Sequence, residues 1–541
     1  MAKPISRWRA VLWAMRTWRT AAVSLLSFSS GLPLGLVWIA IPTWMARQGI
    51  DVKIIGLFTL AQAPWTFKFL WSPLMDRYST PLPRMGCKAG WTLLMQIALL
   101  ILTLGLAGAA LHPDLIWMIG ALTLAIAFAS ASQDIAIDAY AVEVLRPEEQ
   151  GVAVGARVAL YRAAMFISGG AAISLAALWS WTSVFVFTAA LYIPLMGVSI
   201  FAPQSEYDRS EPPRSLRAAI WEPLVGFLRA DRALEILAFV VLYKLADNLA
   251  GALIRPFLVQ VGFNDLDVGI ATASIGLAAT LAGTFLGGIL TAAIGLGHAL
   301  WLFGVIQILS NSGYVAVAEI GLNRPVMYAA MGLESLATGM GTGAFSVLLL
   351  RMTQKRFSAT QYALFSSLFA LPRLIAGPVT GVMVDAIGWR NFFLFSMVAG
   401  LPGLMMLQKF SPLGSPEPLV FQVTRRHRQL ISRAGLVLRA ATGGILGLAL
   451  GTASAVLIDA MRRFHQNPAT GFDLSGPLVL LVSPQEASGW MKLLGVLFFG
   501  LVLALAAAAT AAARSEDWPV LAPDQGIHEQ EKAREQRKEK P

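Results

Sequence analysis

Residues 127–140 read Ala-Phe-Ala-Ser-Ala-Ser-Gln-Asp-Ile-Ala-Ile-Asp-Ala-Tyr, a run of small and apolar residues that carries two acids. Asp134 and Asp138 are four residues apart, so on a helix of 3.6 residues per turn they lie one above the other on one face. Ser130 shares that face and Gln133 lies beside it. The run sits inside a longer apolar segment, Leu115 to Ala141, which is long enough to cross a bilayer. An acid at the centre of such a helix costs roughly 2.5–3.5 kcal/mol on insertion scales, so these two need partners or a task.

The composition around this helix points the same way. Of 541 residues, 56% are hydrophobic and only 13% are charged, against about 25% charged in an ordinary soluble domain. The chain therefore reads as an all-α polytopic membrane protein. Its net charge of +11 sits in short loops and tails without interleaved base-stacking aromatics, which argues against nucleic acid as a partner. The single cysteine, Cys87, excludes an intrachain disulfide, and the five scattered histidines form no His-Glu-x-x-His pair. No metal and no cofactor is expected.

Apolar segments of spanning length fall near 21–46, 54–75, 89–111, 115–141, 151–178 and 182–202. Six more follow near 233–260, 266–294, 298–318, 326–350, 361–385 and 389–408. The final two lie near 436–459 and 490–513. The expected organisation is a basic arm (1–20), a six-helix bundle (21–202), a linker (203–232), a second six-helix bundle (233–408), a basic linker (409–435), two additional membrane helices (436–513) and a disordered tail (514–541). With the N-terminus placed in the cytoplasm, only Arg47, Lys53, Arg324, Arg390, Arg462, Arg463 and Lys492 fall on the opposite side, so both termini are expected to be cytoplasmic.

The two halves carry a related signal. Arg146-Pro-Glu-Glu-Gln150 follows helix 4, and Arg162 comes twelve residues later. Arg356-Phe-Ser-Ala-Thr-Gln361 follows helix 10, and Arg373 comes twelve residues later. Two repeated bundles with one arginine each at the same depth fit an internal duplication.

The embedded bases are Lys68, Arg157, Arg162, Lys244, Arg255 and Arg373, and the clear embedded acids are Asp134, Asp138, Asp247 and Glu334. At 1.5 Å per residue, Lys68, Asp134, Arg162, Lys244, Asp247, Glu334 and Arg373 all fall within about 10 Å of their helix centres. Such a layer reads as a polar substrate pathway, with buried ion pairs (Asp134 with Arg162, Asp138 with Arg157, Lys244 with Asp247) as the plainer alternative for any one pair. Arginine stays charged and offers a planar fork for carboxylates, so Arg162 and Arg373 suit substrate clamping. Asp134 and Asp138 suit proton coupling, with Asp134 level with Lys68 and Arg162 and Asp138 lower beside Arg157. Lys68, Gln133, Tyr161, Tyr243, Lys244, Asp247, Asn248, Gln307, Asn311 and Glu334 complete the expected substrate-binding set, with Tyr314 nearby. Gly31-Leu-Pro33-Leu-Gly35, Pro372 and Pro378 are expected to bend helices, and Gly443, Gly447 and Gly451 to pack one helix closely on another.

Phe67-Lys-Phe-Leu-Trp-Ser-Pro-Leu-Met-Asp-Arg77 followed by Gln133-Asp-Ile-Ala-Ile-Asp138 resembles the AmpG family of muropeptide permeases, a branch of the major facilitator superfamily. Tyr161-Arg162, Ser168-Gly-Gly170, Leu242-Tyr-Lys-Leu-Ala-Asp247, Gly339-Met-Gly-Thr342 and Phe357-Ser-Ala-Thr-Gln361 carry the resemblance from about residue 25 to 408, and the two extra C-terminal helices look like bacterial AmpG architecture. The resemblance implies the major facilitator fold and no enzyme activity. It also implies proton-driven symport of anhydromuropeptides (GlcNAc-1,6-anhydroMurNAc and its peptides) across the bacterial inner membrane for peptidoglycan recycling, with an indirect effect on β-lactamase induction. A monomer in the lipid bilayer is expected. Asp76 and Arg77, with Arg84 and Lys88, resemble the superfamily's conformational latch, whereas the equivalent Gly287-Gly-Ile-Leu-Thr291 lacks the acid. Ala141 stands where enterobacterial members have lysine, which leaves the partner of Asp138 open, with Arg157 as one candidate replacement. Acetyl-coenzyme A transport within the same family, a membrane-embedded enzyme acting on lipid-linked sugars, and a non-transporting receptor are the alternatives.

Overall fold

The computed structural model describes residues 13–50, 54, 58–80, 85–112, 115–205, 216–228, 233–418, 433–466, 472–484 and 487–513. The expected tail, most of the basic arm and parts of both linkers lie outside the described residues. The described chain is helical, without strands. It divides into two compact units: 1–220, 237–377 and 387–419 form the larger, and 221–236, 378–386 and 420–541 the smaller.

In chain order the long helices are α1 (Trp18–Arg47), α2 (59–77, in pieces), α3 (Cys87–Ala109), α4 (Ile116–Val144), α5 (Pro147–Leu178), α6 (Trp181–Ile200), α7 (Ala233–Val261), α8 (Leu266–Ile294), α9 (Leu296–Ile320), α10 (Arg324–Met352), α11 (358–386), α12 (Ile387–Phe410), α13 (Arg433–Gln466) and α14 (Ala487–Ala513). The backbone bends between α11 and α12 at Gly388, whose φ of 75° ends one helix and starts the next. Among the described residues, twelve of these helices are long and apolar enough to cross a membrane, and α2 and α11 are not among them. The expected span near 54–75 is instead a broken helix. Pro64 and Pro73 each sit at the start of a short helical piece, Ala63–Phe67 and Ser72–Arg77, and a 3₁₀ turn at Lys68–Leu70 lies between them.

Lipid tails give apolar side chains little reason to leave them, so helix association depends on close packing and buried polar bonds. Both occur in the larger unit. A Cβ on Gly31 of α1 would stand 2.1 Å from the Tyr161 carbonyl oxygen, and one on Gly35 would stand 2.2 Å from that of Met165. The expected bend of α1 is a π-helical segment, Leu36–Ala40, just after these glycines, where it meets a second π-segment of α5, Ile167–Ala171. The Ser29 hydroxyl accepts from Gln133 Nε2 (2.6 Å) and Gln96 Nε2 (3.2 Å), and Ser199 donates to Gln96 Oε1 (2.7 Å), which ties α1, α3, α4 and α6 together. In the second six helices an aromatic stack of Tyr243 on Phe345, with centroids 5.4 Å apart, does similar work.

After α12 the chain folds back as a strap, Ser411–Glu417, over the turn between α8 and α9. Gly297 N donates to the Pro416 carbonyl (2.9 Å), and Trp301 Nε1 donates to that of Ser411 (2.8 Å). Gly295 stands at the turn with φ 94°, where a Cβ would meet the Pro416 oxygen at 2.6 Å. In the smaller unit α13 and α14 form a hairpin. The expected glycine packing is present, since a Cβ on Gly443 would lie 2.6 Å from the Leu503 oxygen and one on Gly447 2.8 Å from Gly500 Cα. Lys492 Nζ bridges to Asp459 Oδ2 at 2.6 Å.

Candidate functional site

Two charged clusters occupy the interior of the larger unit, one in each set of six helices. In the first, the 3₁₀ turn of α2 carries Lys68 inward, and its Nζ donates to Asp138 Oδ2 on α4 (3.0 Å). Arg157 of α5 donates to the other oxygen, Oδ1. Asp138 therefore has one base on each oxygen and is buried. Asp134, one turn earlier, accepts from the Ser30 hydroxyl of α1 and pairs with no base among the described residues. Tyr362 on α11 lies near the Asp138–Arg157 pair, so this cluster reaches from the first six helices into the second.

Depth along the helices places Lys68 level with Asp134, yet its ammonium reaches Asp138. A four-carbon stem spans a helical turn, so backbone depth does not fix where a lysine's charge lies. Asp134 and Arg162 do not pair either. Arg162 is half-buried on α5 and has no hydrogen-bond or ion-pair partner among the described residues.

In the second cluster Lys244 sits at the interruption between the α7 pieces Ala233–Leu242 and Leu245–Ala252. Its Nζ donates to Asp247 Oδ2 (2.8 Å) and to the Thr338 carbonyl (3.4 Å). Glu334 of α10 accepts from Thr338 Oγ1 (2.9 Å) and Tyr314 OH (3.1 Å). The Arg373 side chain lies outside the described residues.

Several residues expected to contact substrate instead hold helices together. Gln133, Tyr243, Gln307 and Asn311 are buried. Gln133 bonds Ser29, Tyr243 OH donates to the Leu300 carbonyl (2.9 Å), Gln307 Nε2 to that of Ala337 (3.2 Å), and Asn311 Nδ2 to Ser396 Oγ (3.2 Å). Asn248 spends its amide on the Lys244 carbonyl one turn back (2.8 Å). Tyr161 is half-buried beside Arg162, and its backbone oxygen packs on Gly31. Arg255 is exposed.

A third constellation closes one end of the larger unit. Asp76 at the end of α2 accepts from Lys88 Nζ (2.7 Å), Ala359 N (3.2 Å), Thr360 N (2.8 Å) and Thr360 Oγ1 (2.7 Å). It thus caps the first turn of α11, whose unpaired amides and dipole attract an anion. Glu143 at the end of α4 accepts from Ser358 Oγ (2.5 Å) and lies 4.0 Å from Lys88 Nζ. Arg351 at the end of α10 donates through Nε to Gln150 on α5 (3.1 Å) and pairs with Glu417 of the strap. Beside it a Cβ on Gly288 of α8 would stand 2.3 Å from the Gly151 oxygen of α5, so the two sets of helices touch backbone to backbone. The Arg77 guanidinium lies over the Tyr78 ring, 5.5 Å from its centroid. Glu143, Ser358, Thr360 and Tyr362 were not among the expected site residues. The signal was Phe357-Ser-Ala-Thr-Gln361, whose hydroxyls at the start of a helix are capping residues awaiting an acid from elsewhere.

The family description of the Major Facilitator Superfamily matches residues 23–357. The chain belongs to this superfamily. The Escherichia coli (strain K12) anhydromuropeptide permease is 42% identical over 391 residues, which cover 72% of this chain and 79% of that protein. The facilitator therefore belongs with the AmpG permeases. A putative transporter AmpG 4 of Rickettsia felis is 30% identical over 72% of this chain and 96% of its own length. The crystal structure of a bacterial homologue of the iron transporter ferroportin, in its outward-facing state, matches with a TM-score of 0.53 at 14% identity, covering 75% of this chain and 99% of that one. The human organic anion transporter MFSD10 gives 0.53 at 16%, covering 75% and 100%. These two share the fold. The facilitator is a multi-pass membrane transporter and not an enzyme.

Proposed function

We propose that this facilitator imports anhydromuropeptides, the disaccharide GlcNAc-1,6-anhydroMurNAc and its peptides, across the bacterial inner membrane by proton-coupled alternating access. Both termini and the Asp76 clasp face the cytoplasm in this reading, as the lysine and arginine distribution favours. In the same reading the clasp, when shut, closes the carrier toward the cytoplasm.

The observation that carries the reading is Arg162. A half-buried guanidinium with no partner among the described residues is an embedded charge held without an internal counter-ion, and a ligand carboxylate would supply one through a bidentate pair. The muramyl lactyl group and the stem-peptide carboxylates of the proposed substrate offer that chemistry. Asp138, held by two bases, fixes the helices and the gate. Asp134, held by one hydroxyl, is the proton carrier of the first six helices, and Arg373 is the second clamp by its position in the repeat. The test is uptake of labelled anhydromuropeptide into proteoliposomes with an imposed pH gradient, with free peptides and acetyl-coenzyme A as competitors. Arg162→Gln is expected to raise KM at least tenfold with no loss of thermal stability. Competition by acetyl-coenzyme A but not by anhydromuropeptides would assign the carrier to the other substrate class.

A further inference from the structure

We propose that Glu334 is a second proton-binding carboxyl of the carrier, located in the second set of six helices, which takes up one proton and releases it in each cycle. The proposal rests on the transport reading above.

The embedded acids differ in what holds them. Asp138 has Lys68 and Arg157, and Asp247 has Lys244. Protonating either acid strands a buried base. Glu334 is held by hydroxyls alone: Thr338 Oγ1 on Oε1 at 2.9 Å, Tyr314 OH on Oε2 at 3.1 Å and Ser335 Oγ on Oε2 at 3.5 Å. No base lies within ion-pair distance of it among the described residues. Hydroxyls both donate and accept, so they can serve either charge state. Thr338, four residues after Glu334, can turn to the carbonyl of Glu334 on its own helix and then accept from a protonated carboxyl.

The groups facing Glu334 complete the argument. From α7 come Asp247 and Lys244, already paired with each other; from α9 comes Tyr314; from α10 itself come Ser335 and Thr338. The stretch of α8 packed on α10, Gly276 to Gly288, carries no charged residue. Glu334 can therefore change charge without leaving any described cation unpaired.

Position supports a role in the cycle. α4 and α10 are each 29 residues long and run in the same sense through the repeat. Asp134 is the nineteenth residue of one and Glu334 the eleventh of the other, an offset of about 12 Å along the axis at 1.5 Å per residue. Glu334 lies on the side remote from the clasp and Asp134 on the side near it. An O–H bond forms on a Glu334 oxygen with a proton from water at the remote side and breaks on release to water at the other, so no further reactant is required.

The experiment uses the full chain in proteoliposomes with a trapped pH dye and labelled GlcNAc-anhydroMurNAc. Wild type is expected to accumulate substrate under a pH gradient. Glu334→Gln is expected to lose accumulation by more than any loss of exchange, with the proton-to-substrate ratio falling by one. Tyr314→Phe and Thr338→Val keep the carboxyl and are expected to retain accumulation while shifting the pH midpoint of exchange. A wild-type ratio in Glu334→Gln overturns the proposal, as does an effect confined to KM or a wild-type carrier driven by sodium instead of a pH gradient. Failure of wild type to move anhydromuropeptide would sink the substrate reading but not this one, because proton binding has its own readout. Infrared titration of the purified chain should show a protonated carboxyl band absent from Glu334→Gln and present in Asp134→Asn. Absence of that band in wild type overturns the proposal.

Discussion

The Asp76 clasp allows the conformational equilibrium to be shifted by a calculable amount and read with a probe that the protein already carries. Asp76 makes four bonds, but the one to Lys88 stays within the first six helices and survives opening. The three to Ala359 and Thr360 exist only while the end is shut. Hydrogen bonds to charged groups contribute about 1.5–3 kcal/mol each, and three on one carboxylate do not add fully. Taking about 3 kcal/mol for the set, Asp76→Ala should favour the opened end by about a hundredfold, since about 1.4 kcal/mol is a factor of ten. Asp76→Asn still offers one oxygen without its charge and should shift the balance by about tenfold at neutral hydrogen-bond strength. Cys87, the only cysteine of the chain, adjoins Lys88 and is half-buried, with Sγ 3.7 Å from the Tyr78 carbonyl. Maleimide labelling of Cys87 should therefore accelerate in the order wild type, Asn, Ala. Equal labelling rates in three variants of equal thermal stability would refute the clasp as the element that holds this end shut.

Other tests address the interior. Asp138→Asn removes the acid from two buried bases and should cost about 3–5 kcal/mol, visible as a large fall in Tm. Asp134→Asn loses the charge but keeps an oxygen for the Ser30 hydroxyl, so its Tm should stay near wild type while accumulation fails; normal accumulation would remove Asp134 from the coupling path. Gly288→Val places side-chain atoms where the Gly151 backbone now sits and should prevent closure of this end, raising Cys87 labelling without unfolding the protein. In the smaller unit, the Asp473 carboxyl accepts from the Ser475 hydroxyl and from the Ser475 and Gly476 amides, which hold it below the usual carboxylate range. A depressed folded value means that the stabilisation is present above the unfolded value and lost as pH falls through the folded one. Protection of the Ser475 and Gly476 amides from hydrogen exchange should weaken in acid, and Asp473→Ala should abolish that pH dependence.

The helices were largely legible because bilayer thickness demands long apolar runs, and the Ile116–Val144 helix that carries Asp134 and Asp138 needed nothing more. The interruptions at Lys68 and Lys244 were not. Pro64 and Pro73 mark the α2 region, but no propensity rule says that a lysine should stand at the break. The charge layer was visible in outline, whereas its pairing was not, because pairing depends on how helices rotate against one another and on stems that reach a full turn. Asp138 therefore draws in Lys68, and Arg162 is left without the acid that depth assigns to it. Gln133, Gln307 and Asn311 show how much of a membrane protein's amide inventory is used to join helices.

The strap after α12 bears on where the carrier can be cut. A twelve-helix version ending near residue 408, where the last apolar run of the second bundle stops, would delete the carbonyls that Trp301 and Gly297 use and the carboxylate that neutralises Arg351. The loss would fall at the turn between α8 and α9 and at the contact between Arg351 and Gln150, far in sequence from the cut. Such a truncation would test damaged gating instead of dispensable helices. A boundary placed after Pro418 keeps these anchors and makes the contribution of the final hairpin measurable by itself.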